Sequence, residues 1–140
     1  MRIERASFEA DYAAIRHVRI TVFVEEQQVP EELELDERDP HCLHVLAYDA
    51  GGAPIGTGRL DLAYGGKIGR VAVLADARRG GVGTALMSRL HELAAGAGLR
   101  AVWCNAQLSA LAFYERLGYR AVGERFYEAG IEHVRMDREL

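Results

Sequence analysis

The residues with the clearest chemical potential are Arg78-Arg79-Gly80-Gly81-Val82-Gly83-Thr84, which lie between an apolar strand-like run and an amphipathic helical pattern. Such a turn brings uncapped backbone N–H groups and the positive end of a helix dipole to one place, and that place attracts anions. Gly81 and Gly83 lack a Cβ, so the backbone can turn tightly and approach a phosphate closely, while Arg78 and Arg79 add charge. Spacing narrows the options. A Walker loop needs a lysine after its last glycine, and none follows Gly83. A dinucleotide fingerprint needs a small residue where Leu86 stands. What remains is Arg-x-x-Gly-x-Gly, read as Arg78, Gly81 and Gly83, against the plain alternative of a glycine-rich turn that caps a helix.

A second constellation follows at domain-scale distance. After Gly96-Ala97-Gly98, the β-rich run Leu99 to Cys104 leads into Asn105-Ala106-Gln107 and then Ser109-Ala110-Leu111-Ala112-Phe113-Tyr114-Glu115-Arg116-Leu117-Gly118-Tyr119. The glycine loop followed by strand, Asn, short helix and Phe-Tyr-x-x-x-Gly-Tyr resembles the GNAT superfamily of acetyl-CoA-dependent N-acetyltransferases. Arg19 to Gln27, then Pro30, Asp36 and Asp39, with Tyr127 to Met136 near the end, resemble its ElaA-like and YjcF-like branch, so the resemblance spans nearly the whole chain.

That resemblance implies a donor, acetyl-CoA, lying between two splayed strands, here Lys67 to Leu74 and Leu99 to Cys104. Arg78 through Thr84 would cradle its pyrophosphate, with Arg79 and Gly80 in the turn. Gly81, Val82, Gly83 and Thr84 would offer mainly backbone N–H groups, and Thr84 a hydroxyl. Val71 and Val73 would bond the pantetheine arm through their main chains, almost as to another strand. Asn105 would touch the donor from the next strand's end, or else cap a turn. Tyr114 would be the general acid that protonates the departing thiolate, or else an aromatic packing residue beside Phe113.

An amine acceptor is largely protonated near neutrality, since a lysine-like pKa is about 10.4, so some base must free its lone pair. Glu26 is the first candidate, in the Glu-Gln pair where the first helix gives way to an acidic stretch; His133 and His44 are alternatives. Each also has a purely structural reading, as a loop-orienting carboxylate or a packed strand histidine. Glu31, Glu32, Glu34, Asp36, Glu37 and Asp39 read as a solvated face or as an attractor for a cationic acceptor. His41 and His44 near Asp36 and Asp39 form no closed zinc pattern, and the reading includes no metal.

Length and composition set the frame. The chain has 140 residues, read as one domain over 1–140 with room for a core. Net charge is −4 and the pI about 5.7, which offers no broad footprint for nucleic acid. No apolar run suggests a membrane span, the N-terminus carries Glu4, Glu9 and Asp11 rather than a leader pattern, and cytoplasm is the default. Cys42 and Cys104 read as reduced core residues, with an acyl-cysteine at Cys104 as the rival.

The elements that must position these groups follow from periodicity. Met1 to Ala6 reads as a strand and Phe8 to Gln28 as mainly helix, with Tyr12, Ile15, Val18, Arg19, Val22 and Phe23 defining much of one face. Val29 to His41 reads as an exposed loop, a lid or a wall of the acceptor site. Cys42 to Asp49, Pro54 to Leu62 and Lys67 to Leu74 read as a three-strand meander. A helix from Val82, a strand, a short helix, and a hairpin of Tyr119 to Tyr127 with Ile131 to Arg138 complete the chain. The expected class is α/β of the α+β kind: a mixed, mostly antiparallel sheet flanked by helices, with a splayed strand pair for acetyl-CoA. The activity implied is direct acetyl transfer to a small-molecule or peptide amine. The rivals are another acyl-CoA donor, a noncatalytic acyl-CoA-binding or regulatory module, and an interaction module in which the acidic stretch binds a basic protein and the glycine turn is only structural. Relatives often dimerise, so a homodimer is compatible.

Overall fold

The computed structural model describes residues 1–140 as seven strands and four α-helices. The strands are β1 (Arg2–Ala6), β2 (Leu43–Tyr48), β3 (Pro54–Asp61), β4 (Lys67–Val73), β5 (Ala101–Gln107), β6 (Arg120–Glu128) and β7 (Ile131–Glu139). They form one sheet in the order β1-β2-β3-β4-β5-β7-β6, antiparallel throughout except where β4 meets β5. The expected mixed, mostly antiparallel sheet is therefore present, as are the meander and the terminal hairpin.

Helices cover both faces. The helix α3 (Val82–Gly96) buries Leu86, Met87, Leu90 and Ala94 with Val45, Leu60, Ile68, Val102 and Met136 of the strands. Two glycines make this contact close: a Cβ on Gly56 would stand 2.9 Å from a Leu86 methyl, and one on Gly58 2.8 Å from a Leu90 methyl. On the opposite face, α1 (Tyr12–Arg19) and the turn after it place Val18, Val22 and Phe23 against Ala72.

The first helix differs from its sequence expectation. Ser7 to Asp11 form a turn, closed by the Ser7 N–H donating to Asp11 at 2.9 Å, so α1 starts only at Tyr12. From Ile20 to Glu26 the helix widens to a π form, in which the Gln27 N–H reaches back to the Val22 carbonyl. The Thr21 hydroxyl donates to the His17 carbonyl at 2.7 Å, and its β-branched neighbours crowd the normal ladder. Such a bulge often accompanies a functional site.

The Val29 to His41 stretch is not a simple exposed loop. It holds the short helix α2 (Glu31–Glu34) and a 3₁₀ turn at Asp39–His41, with Glu34 and Asp39 buried. The strand expected from Leu99 begins instead at Ala101 and runs on through Gln107, which sets Asn105 inside it. The last helix, α4 (Leu111–Arg116), follows a 3₁₀ turn and stops at Gly118, whose φ of 91° suits a residue without Cβ.

Candidate active site

The site begins where the sheet splits. β4 and β5 pair only at Lys67 with Trp103 and Ile68 with Cys104, and beyond these the two strands part. On its other edge β4 stays on β3, where the Leu74 N–H donates to the Ile55 carbonyl at 2.9 Å. Neighbouring residues of a strand point their backbone groups to opposite sides, so Val73 and, two back, Val71 turn theirs to the gap. A bulge opposite Thr57 and Arg59, with Arg70 at φ 53°, bends β4 as it leaves β5. The gap opens into a cavity of about 700 Å³, within the range of small-molecule sites.

At the far end of β4 the glycine loop has the geometry its sequence suggests. Arg79 and Gly81 adopt positive φ, 67° and 82°, and α3 starts at Val82 with no side-chain cap. None of the consecutive backbone N–H groups from Arg79 through Thr84 has a protein acceptor. A helix start with free donors and a left-handed turn before it is a concave anion site. Gly83 joins the two sequence motifs: a Cβ there would sit 3.2 Å from the Phe113 ring, so α4 rests directly on the loop.

Tyr114 lines the cavity, edge-on to Phe113 and Tyr119 at 5.1 and 5.4 Å between ring centroids. Its hydroxyl has no protein hydrogen-bond partner. Burial, with Cys104 nearby, pushes its pKa well above the usual tyrosine value, so it holds its proton near neutrality. Asn105 also lines the cavity, and no side-chain hydrogen bond ties it to a turn. Gln107, next on the same face, donates to Gln27 at 2.9 Å and so bridges β5 to the end of the π turn.

Of the proposed bases, Glu26 and His133 reach the cavity and His44 does not. His44 is 1% exposed, bonded through Nε2 to the Asp39 carbonyl at 2.8 Å and stacked on Phe8; it serves the core. His133 stacks on Phe126, and its Nδ1 lies 2.7 Å from the Ile131 carbonyl. A carbonyl only accepts, so Nδ1 carries hydrogen and the lone pair of the neutral ring is on Nε2. Glu26 is held by Arg78, the first residue of the loop motif, through two bonds of 2.6 and 2.7 Å. That hydrogen bond, against a smaller opposing effect of burial, lowers the Glu26 pKa. Both residues stand out in the sequence, but their contact, across 52 positions, exists only in the folded chain.

The acidic stretch divides: Glu31, Glu32 and Glu37 stay exposed as a solvated face, whereas Glu34, Asp36 and Asp39 turn inward, where three arginines meet them. Arg19, fully buried, donates to Glu34 at 2.8 Å and Asp39 at 2.7 Å. Arg59 bonds Asp36 and Asp39 at 2.8 Å each, and Arg70 reaches Asp36 at 3.1 Å. Burial works to raise the Asp39 pKa, but Arg19, then Asp36 N–H and Arg59, outweigh it and hold the carboxyl at about 2. Glu34 goes the other way: burial raises it despite Arg70 and Arg19. Leu33, Glu34 and Arg59 also line the cavity, so this cluster forms one of its walls. The signal for it was in the sequence, an arginine at 19 within an otherwise apolar helix face.

Cys104, in β5, is 2% exposed in the core, and burial, with Asp137 adding to it, pushes its thiol up to about 12, as suits a reduced core residue. Cys42 is likewise pushed up to about 12, mainly by burial.

Comparison with known proteins accords with this geometry. The profile of the acetyltransferase (GNAT) domain family matches residues 10–140. The uncharacterized N-acetyltransferase YjcF of Bacillus subtilis (strain 168) is 42% identical over 125 residues, 88% of this chain and 89% of that protein. Among solved structures, an acyl-CoA N-acyltransferase from Pseudomonas aeruginosa aligns with a TM-score of 0.86 at 30% identity, covering 99% of both chains. ElaA from Escherichia coli aligns with a TM-score of 0.88 at 26% identity, covering 99% of this chain and 100% of that one.

Proposed function

This chain belongs to the GNAT acetyltransferase family, and we propose that it moves an acetyl group from acetyl-CoA directly to an amine while both substrates are bound. One observation carries the reading: the unpaired edge of β4 at Val71 and Val73 opens onto the cavity and leads straight to the free N–H groups from Arg79 through Thr84. A ligand with an amide-bearing arm and a diphosphate matches both features in order.

In this mechanism the loop N–H groups bind the diphosphate and the β4 edge binds the arm as if it were a strand. The amine attacks the thioester carbonyl, and a backbone N–H near Val73 stabilises the oxyanion that forms. Glu26 or His133 takes the proton from the attacking amine. Tyr114 gives its proton to the CoA sulfur as the C–S bond breaks, with Asn105 as a contact to the donor. The acceptor, a small amine or a peptide amine, enters along the wall made by Leu33, Glu34 and Ile131.

Calorimetric titration with acetyl-CoA, CoA and dephospho-CoA tests the donor site, followed by a thiol-release screen over amines. Saturable binding with release supports the transferase. Binding with no release over a broad amine panel would leave an acyl-CoA-binding module, and no binding by folded protein would overturn the donor reading. Faster release from a longer acyl-CoA than from acetyl-CoA would replace the donor.

A further inference from the structure

Arg78 stands where a donor would have to lie. Its Nε donates to the Val73 carbonyl at 2.9 Å, and its two terminal nitrogens donate to the two oxygens of Glu26. The Val73 carbonyl is on the unpaired edge of β4, turned away from β3. One guanidinium therefore occupies both the backbone acceptor that an incoming amide N–H needs and the carboxylate that an incoming ammonium needs. Arg78 is also adjacent to the free N–H groups of the loop, and both side chains of the pair are about two-fifths exposed, at 38% and 41%, so neither is locked in place. The planar fork of arginine fits a diphosphate as well as it fits a carboxylate.

We propose that Arg78 is a positioning residue that plugs the donor cleft and is exchanged on binding: the diphosphate draws its guanidinium away, which frees the Val73 carbonyl for the pantetheine arm and Glu26 for the acceptor. This rests on the acyl-CoA reading above. The exchange orders the two substrates, because the carboxylate that meets the amine is released by the donor. It also makes the diphosphate, rather than the arm, the part of the donor that opens the site. The charge pair costs little to break at an exposed position, since a diphosphate replaces the carboxylate as partner.

The test uses two probes, CoA and pantetheine, which shares the arm and lacks the diphosphate. Arg78→Gln is expected to weaken CoA binding about tenfold, the size of a lost charge-assisted contact. The same variant is expected to bind pantetheine several-fold more tightly than the wild type, because the plug is gone. An arginine that only contacts phosphate would leave pantetheine affinity unchanged, and one that only braces the cleft would weaken both probes; either result overturns the proposal. As a second arm, Glu26→Gln is expected to tighten CoA binding in the wild-type background and to have no effect in Arg78→Gln. Equal tightening in both backgrounds would show simple charge repulsion and overturn the exchange. Absence of CoA binding to the wild type would overturn the donor reading itself, whereas CoA binding with pantetheine no tighter in Arg78→Gln overturns the exchange alone.

Discussion

Tyr114 combines two properties that a proton donor needs: a place on the cavity wall and a pKa raised by burial, so that the proton is present when a thiolate leaves. Tyr114→Phe keeps the ring and its edge-on contacts with Phe113 and Tyr119 while removing the proton. CoA affinity is expected to stay within about twofold and turnover to fall by about 10²-fold, the lower end for a general acid, measured by titration and by thiol release. Unchanged turnover would remove Tyr114 from the chemistry. Tyr114 was legible because its motif is local, a short helix with Phe113 before it and Gly118 after. The Glu26–Arg78 pair was not, because the two lie 52 positions apart and only the folded chain sets their distance. For His44 the structural reading is the one the fold carries: its neighbours in sequence say strand, and the packing of Phe8 over it says core.

At the scale of elements, glycines decide how closely helices approach the sheet and the loop approaches a ligand. Gly58→Ala drives a methyl to 2.8 Å from the Leu90 side chain beneath α3, and is expected to cost about 1–3 kcal/mol, read as a lowered denaturant midpoint with unchanged m. Gly81→Glu meets open space but a φ of 82°, and it sets a carboxylate beside the anion site. That variant is expected to remain folded and to weaken CoA binding by tenfold or more; unchanged affinity in a titration would reject the loop assignment. The strands and α3 were legible from period and punctuation. The π turn was not, because a one-residue widening of a helix leaves the apolar spacing of Val18, Val22 and Phe23 almost intact. In the acidic stretch the solvated face of Glu31, Glu32 and Glu37 was legible, but the inward turn of Glu34, Asp36 and Asp39 was not, because their partners, Arg19, Arg59 and Arg70, come from a helix and two strands elsewhere.

Across the whole molecule, charge is stored in the cluster joining α1, α2, β3 and β4. Arg19→Met removes the cation that faces both Glu34 and Asp39 and leaves two buried carboxylates short of a partner. A loss of about 3–5 kcal/mol is expected in chemical denaturation. Acid should weaken the fold through groups whose folded pKa is lowered, the histidines His91 and His44 first and Asp39 later, while Glu34, raised by burial, opposes the trend. His91 titrates near pH 4 instead of 6.5, through burial and then Arg138, so the unfolded chain takes that proton first. Its contribution is complete above pH 6.5 and is lost as the pH falls towards 4. Asp39, lowered from 3.8 to about 2, contributes above pH 3.8 and is lost below it. Melting temperature is therefore expected to fall between pH 7 and 4, and His91→Gln, whose amide can stand in for the His91 Nε2 that lies 2.6 Å from the Tyr119 hydroxyl, should flatten part of that slope. The order of elements and the class of sheet were legible from the two motifs, because their spacing leaves room for one strand and one helix between them. The depth of the cavity was not, since it depends on where β4 and β5 stop pairing.

That parting divides the sheet into β1–β4 on one side and β5, β7 and β6 on the other, held along the backbone by the pairs at Lys67–Trp103 and Ile68–Cys104 and by the Trp103 N–H on the Gly66 carbonyl. The molecule is in this sense a hinge with a short seam. A bound donor would act as stitching, since its arm would touch β4 on one leaf and Asn105 or Tyr114 on the other. Amide hydrogens along the seam should then exchange with solvent as a cooperative group, and slow together when the donor is added.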